Sequence, residues 1–192
     1  MELRSDLVFQ GDYWEIAEEK LHHKFFESQW GIFKVCLTIG ILYDKQLDDE
    51  KFDSDRPGDM NIPRNMFNRH SKDMVVCFQA AILTTSCVDL SEKDRLYLAF
   101  SEDISDEDLE DDDVKQLKEG ITELALEFDK IGFLKRFANF GVTKLVECIS
   151  DNDIETMENI SVFLNDSVNG EVEDLQKLRP ILQIDDLDEN DF

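Results

Sequence analysis

Residues 30–43 carry only two clearly polar side chains, Lys34 and Thr38. Phe33, Leu37 and Ile41 recur at helical spacing, and Val35, Ile39 and Leu42 widen the stripe beyond one face. A helix apolar around so much of its circumference cannot rest on a surface; other elements must enclose it. It is also too short to cross a bilayer, which takes about 20 apolar residues. The enclosing elements must come from the rest of the chain. Its 192 residues are 42% hydrophobic and include 14 Phe and 2 Trp, enough for a core of ordinary domain size.

The flanking pattern is helical too. Eight glycines and three prolines are few for a strand-and-turn architecture. Asp12 reads as the N-cap of a helix over residues 13–21, with Glu15 completing a capping box and Trp14, Ala17 and Leu21 on one face. Val75, Phe78, Ala81, Ile82 and Thr85 predict a helix over 72–87, and Ser91 caps another over 92–100. Leu117, Ile121, Leu124, Ala125 and Phe128 step by threes and fours through 114–131, where Gly132 ends or interrupts the run. Phe137, Phe140, Val142, Leu145, Val146 and Ile149 continue it over 134–149. Ser150 or Asp151 caps a helix over 154–164, Asn169-Gly170 makes a turn, and 172–182 reads as a last short helix. Two acidic loops divide these runs, at 44–63 and at 102–113; the second holds nine acids and no base. The expected fold is all-α: one compact bundle of about seven helices over residues 1–182, followed by an acidic tail over 183–192.

The first residues place acids early and no basic run before an apolar one, which predicts no signal peptide and a cytoplasmic chain. Cys36, Cys77, Cys87 and Cys148 stand apart in helix-like surroundings, so buried, reduced thiols are expected.

Metal and nucleotide chemistry needs its residues at fixed spacing. Asp53 and Asp55 before Gly58 imitate an EF-hand opening, but Arg64 stands where a bidentate Glu is required. Asp151, Asp153 and Glu155 lack the glycine and meet Val162 at that position. Glu19 and His22 match half of a di-iron carboxylate pair, without a second half. With three histidines and no Gly-rich phosphate loop, dinucleotide fingerprint or Gly-x-Ser-x-Gly elbow, the expectation is a protein without metal, cofactor or catalytic residues.

Charge carries more. The sequence has 45 Asp+Glu against 20 Lys+Arg, a net charge of −25. That balance opposes binding to nucleic acid phosphates and to anionic membranes. Residues 145–176 contain nine acids and no Lys or Arg. Such a surface suits a basic protein partner, and a DNA-mimic inhibitor is its limiting case. Residues 184–192 pack five acids and three large apolar groups before the chain end. This segment resembles the acidic tip of bacterial single-stranded DNA-binding proteins. The resemblance implies a docking element made of Asp185, Asp186, Leu187, Asp188, Glu189, Asp191 and Phe192, with the ring and terminal carboxylate as anchors.

Residues 25–45, Phe-Phe-Glu-Ser-Gln-Trp-Gly-Ile-Phe-Lys-Val-Cys-Leu-Thr-Ile-Gly-Ile-Leu-Tyr-Asp-Lys, resemble a segment of small helical proteins associated with Dnd (DNA phosphorothioation) gene clusters. Residues 137–147, with Phe137-Ala-Asn139 before Gly141, resemble their closing segment, and Arg95-Leu-Tyr-Leu-Ala99 their middle helices. Phe140 stands where that family usually has a second glycine, and residues beyond 150 are additional. The resemblance implies a non-catalytic accessory or adaptor subunit of a bacterial anti-phage defence complex. The system is Dnd-linked or an ABC-type three-component one such as Lamassu, and the partner is a larger nuclease or ATPase subunit. Gly40 and Gly141 are expected to end a turn or admit close helix packing, and Asn139 to satisfy backbone groups nearby.

Overall fold

A computed structural model describes residues 1–48, 60–101 and 119–169 of the chain. Within it a two-stranded antiparallel ribbon, β1 (Leu7–Phe9) and β2 (Met60–Ile62), joins eight helices among the described residues. These are α1 (Asp12–Leu21), α2 (Gln29–Tyr43), α3 (Arg64–Arg69), α4 (Ser71–Thr84), α5 (Glu92–Phe100), α6 (Glu123–Leu126), α7 (Lys130–Val146) and α8 (Asp153–Asn169). The chain divides into two compact units after Val146, so α8 is described separately. The expected boundary at residue 182 lies outside the described residues.

The first unit is built around α2, as its composition demands. Trp30, Ile32, Phe33, Cys36, Leu37, Ile39 and Tyr43 are all buried. Its main neighbour is α7, and the two helices meet through glycine. A Cβ on Gly40 would overlap the Phe137 carbonyl, and one on Gly141 would overlap the Cys36 carbonyl. The two positions are reciprocal, each glycine facing the residue four before the other. Close packing, not a turn, is therefore why glycine stands at both sites.

Aromatic rings fill the space beside this crossing. Phe9 lies 4.3 Å from Trp14 and 5.5 Å from Phe33, while Phe133 meets Phe137 edge-on at 5.0 Å. Trp14, Ala17 and Leu21 all face inward on α1, as their spacing predicts. The amide of Asn139 joins three segments: its Oδ1 accepts from Trp14 Nε1 at 3.0 Å, and its Nδ2 donates to the Leu47 carbonyl at 3.2 Å.

Several local expectations require correction. The ribbon is the largest, since residues 60–62 belong to a strand and not to a solvated loop. Leu7, Phe9, Met60 and Ile62 point inward in register, Leu7 opposite Ile62 and Phe9 opposite Met60. Three residues per strand are too few for alternation to register over a helical background. Asp6 ties this ribbon to α3 by accepting from the Arg64 backbone N–H at 2.9 Å, which holds its carboxyl below the usual aspartate range. The start of α1 is capped by the backbone of Gly11, not by the Asp12 side chain. Gly11 has φ 107°, a conformation that favours glycine.

The run expected over 114–131 is also broken. Residues 102–118 lie outside the described set; beyond them Gly120, at φ 75°, precedes a single turn, α6, capped by the Thr122 side chain. Leu124 is more than half exposed and only Ala125 of that turn is buried. The chain re-enters a helix at Lys130, so Gly132 sits inside α7 and does not end anything. Asp129 accepts from the Gly132 backbone N–H at 2.9 Å and starts the helix in its place.

In the second unit α8 is longer than expected, and Asn152 caps it. Its Oδ1 accepts from Ile154 N at 2.8 Å while its carbonyl accepts from Thr156 N. Ser150 supports the cap by accepting from Asn152 N at 3.1 Å and by a bond with the Thr156 hydroxyl. The expected caps, Ser150 and Asp151, miss by one or two residues. The 172–182 helix lies outside the described residues.

Candidate functional site

Of the residues picked for metal chemistry, His22 is spent on local structure. Glu19 is exposed on α1 and makes no pair with His22; His22 Nδ1 instead lies 2.7 Å from Glu18, one turn before it. Gln29 donates to the same Glu18 oxygen at 2.9 Å. The His22 ring stacks on His23 at 3.7 Å, and His70 stacks on Trp30 at 5.0 Å. No group of three His, Cys, Asp or Glu side chains fit for a metal occurs among the described residues. Asp53, Asp55 and the tail residues Asp185, Asp186, Leu187, Asp188, Glu189, Asp191 and Phe192 lie outside them.

Two carboxylates with lowered pKa values are structural knots. Asp44 closes α2 in the left-handed region, at φ 47°. Its carboxylate accepts from the hydroxyls of Thr85 (2.5 Å) and Ser86 (2.6 Å) and from the Ser86 backbone N–H at 2.7 Å. Partial burial pushes this carboxyl up, but the donors of Ser86, Thr85 and Cys87 outweigh burial and hold it below the usual range. The knot pins the end of α2 to the end of α4. Asp94 is almost fully buried at the start of α5 and accepts from Thr122 N at 2.9 Å, the main reason its pKa falls. Ser91 caps α5 as expected, and Asp94 returns a bond from the Ser91 hydroxyl at 2.7 Å. Arg95 gives its guanidinium to three carbonyls, of Ile82, Val88 and Leu90, at 2.7 to 3.2 Å. A side chain so occupied holds the 85–91 connection in place and is not offered to a ligand.

The cysteines are not all buried. Cys36 and Cys148 are, Cys77 is half-buried and Cys87 is exposed. Burial pushes the Cys36, Cys77 and Cys87 thiols above their ordinary values, so none of these three is primed as a thiolate nucleophile.

What remains is surface, and its two units differ. Over the full sequence residues 1–146 contain 31 Asp+Glu and 18 Lys+Arg, so the first unit is acidic but carries bases throughout. Residues 147–169 contain six acids and no base. Helix α8 therefore offers acids without local compensation. At 3.6 residues per turn, Ile154, Met157 and Val168 fall in one row, and their exposures are 65%, 56% and 79%. Glu155, Glu158 and Asp166 form the adjacent row. Thr156, Ile160 and Ser167, the buried positions of α8, lie on a different side of the helix.

A second apolar group is exposed on the first unit. Val76 and Leu83 share the outer face of α4, and Leu96 and Phe100 that of α5. The two helices are joined by the bond from Gln79 to the Ala99 carbonyl at 2.9 Å. Sequence reasoning placed Val75 and not Val76 on the pattern of α4, and it gave no role to the apolar residues of α8. The signal is present as alternating steps of three and four through Ile154, Met157, Ser161, Leu164 and Val168, apolar at all but Ser161.

No helix of the described residues is long and apolar enough to cross a membrane. Comparisons with family models, with curated proteins and with solved structures found no match to this chain.

Proposed function

We propose that this chain is a non-catalytic accessory subunit that binds a larger protein, a nuclease or ATPase of a bacterial defence complex, through its acidic surfaces. The observation that carries the reading is on α8, a helix within a stretch free of Lys and Arg that carries acids and also exposes large apolar side chains. Acids alone keep a protein soluble. Acids beside exposed apolar rows make a patch that water disfavours and a basic, partly apolar surface would cover. The resemblance of residues 25–45 and 137–147 to Dnd-linked accessory proteins suggests the setting, and the segment 185–192 is a further docking element within the same proposal.

The DNA-mimic reading is the weaker one. A mimic gains from acids and loses from apolar groups set among them, because phosphates present no such groups. Isolation of the untagged complex from cells expressing the native gene neighbourhood tests the proposal. A stable stoichiometric partner with nuclease or ATPase sequence features is the expected result. A chain that elutes alone at every salt concentration overturns it.

A further inference from the structure

We infer that the outward row of α8 is a helix-in-groove ligand, seating in an apolar groove on another protein whose rim carries Lys and Arg on one side. The inference rests on the accessory-subunit reading and names the partner's chemistry. Ile154 and Met157 lie three residues apart near the start of a 17-residue helix and Val168 two heptads beyond Ile154, so all three share one face, as anchors of such ligands do. A single exposed apolar residue needs no explanation, but three in line, each more than half exposed, do. Met157 stands one turn after Ile154 in this row, and its flexible thioether suits a groove of another protein's making.

Charge selects the occupant. Glu155, Glu158 and Asp166 run beside the apolar row, and no Lys or Arg occurs between residues 145 and 176. A second copy of this chain would set acid against acid, at a cost that grows as the contact dries. Nucleic acid and anionic lipid are repelled for the same reason. An apolar groove edged by basic side chains satisfies both rows at once.

The test uses the full-length chain in its own cells, with a photoreactive residue in place of Met157, Val168 or, as a control on α1, Tyr13. The protein captured is purified and titrated against three chains: unmodified, Met157→Glu with Val168→Glu, and Glu155→Gln with Glu158→Gln and Asp166→Asn. Capture from positions 157 and 168 well above position 13 is expected. The apolar pair should weaken binding about 30-fold, as lost anchors do. Neutralising the acids should weaken it about 10-fold at low salt and less at high salt, where exposed charges are screened. Circular dichroism checks that α8 persists; Met157→Ser with Val168→Ser, milder for the helix, should give the same direction. A captured partner indifferent to both sets of changes overturns the inference and leaves the accessory reading standing. Capture of a second copy of the chain overturns it as well. No stable partner from any position overturns both.

Discussion

Residues 1–146 and 147–169 solve opposite problems with the same amino acids. In the first unit key polar side chains are consumed internally, although Val76, Leu83, Leu96 and Phe100 stay outward: Asn139 bridges Trp14 and Leu47, Asp44 locks two helix ends, Arg95 holds three carbonyls. In the second, Asn152, Thr156 and Asn159 are spent on local bonds and α8 leaves apolar and acidic rows outward. A buried polar group must be satisfied or it destabilises, so the first unit tolerates little change. An exposed row contributes little to folding, so its composition is free to serve something else.

The largest effect that would sharpen this contrast is at the helix crossing. Gly40→Ala or Gly141→Ala must force α2 and α7 apart, because the added carbon meets backbone that cannot rotate away. A loss of about 3 kcal/mol or more in urea unfolding is expected, at the top of the overpacking range. Gly132→Ala on the same helix meets only an exposed Asp129 carboxylate and should cost far less. Equal losses at the three sites would refute the close-crossing account.

Next is Asn139→Ala, which strands the Trp14 indole N–H in the core and takes the donor from the part-buried Leu47 carbonyl. A loss of about 2–3 kcal/mol is expected, accompanied by a change in Trp14 fluorescence. A smaller effect is confined to acid. The Asp44 and Asp94 carboxyls lie below the ordinary value of about 3.9 in the folded state. The folded chain thus binds fewer protons there than the unfolded one. Their contribution is complete above the unfolded value and disappears as pH falls through the lowered folded values. Asp44→Asn should lower stability at neutral pH and flatten the acid limb of the stability profile; an unchanged limb would exclude a role for this carboxylate.

The smallest expected effect is on α8. Met157→Ser with Val168→Ser should change unfolding stability by no more than about 0.5 kcal/mol, measured by thermal melts. A loss comparable with that of Asn139→Ala would erase the distinction between the two units.

Much of the architecture was legible because burial and periodicity are local in sequence. Residues 30–43 announced an enclosed helix, Trp14, Ala17 and Leu21 an inward face, and Ser91 a cap, each by spacing or residue type alone. The histidines were legible only as candidates, and their partners Glu18 and Trp30 came from geometry.

The amino-acid order by itself determined that this chain is helical, encloses residues 30–43 and concentrates uncompensated acid after residue 145. Those properties follow from period and charge, which need no knowledge of distant residues. Only tertiary structure decided that Gly40 and Gly141 serve one crossing, that residues 7–9 pair with 60–62, and that Asp6 meets the start of α3. Each joins segments far apart in the chain, where the energy comes from contact and no local pattern records the partner. The same holds for α8: its spacing was written in the sequence, but which of its apolar residues are buried and which face outward depends on the fold.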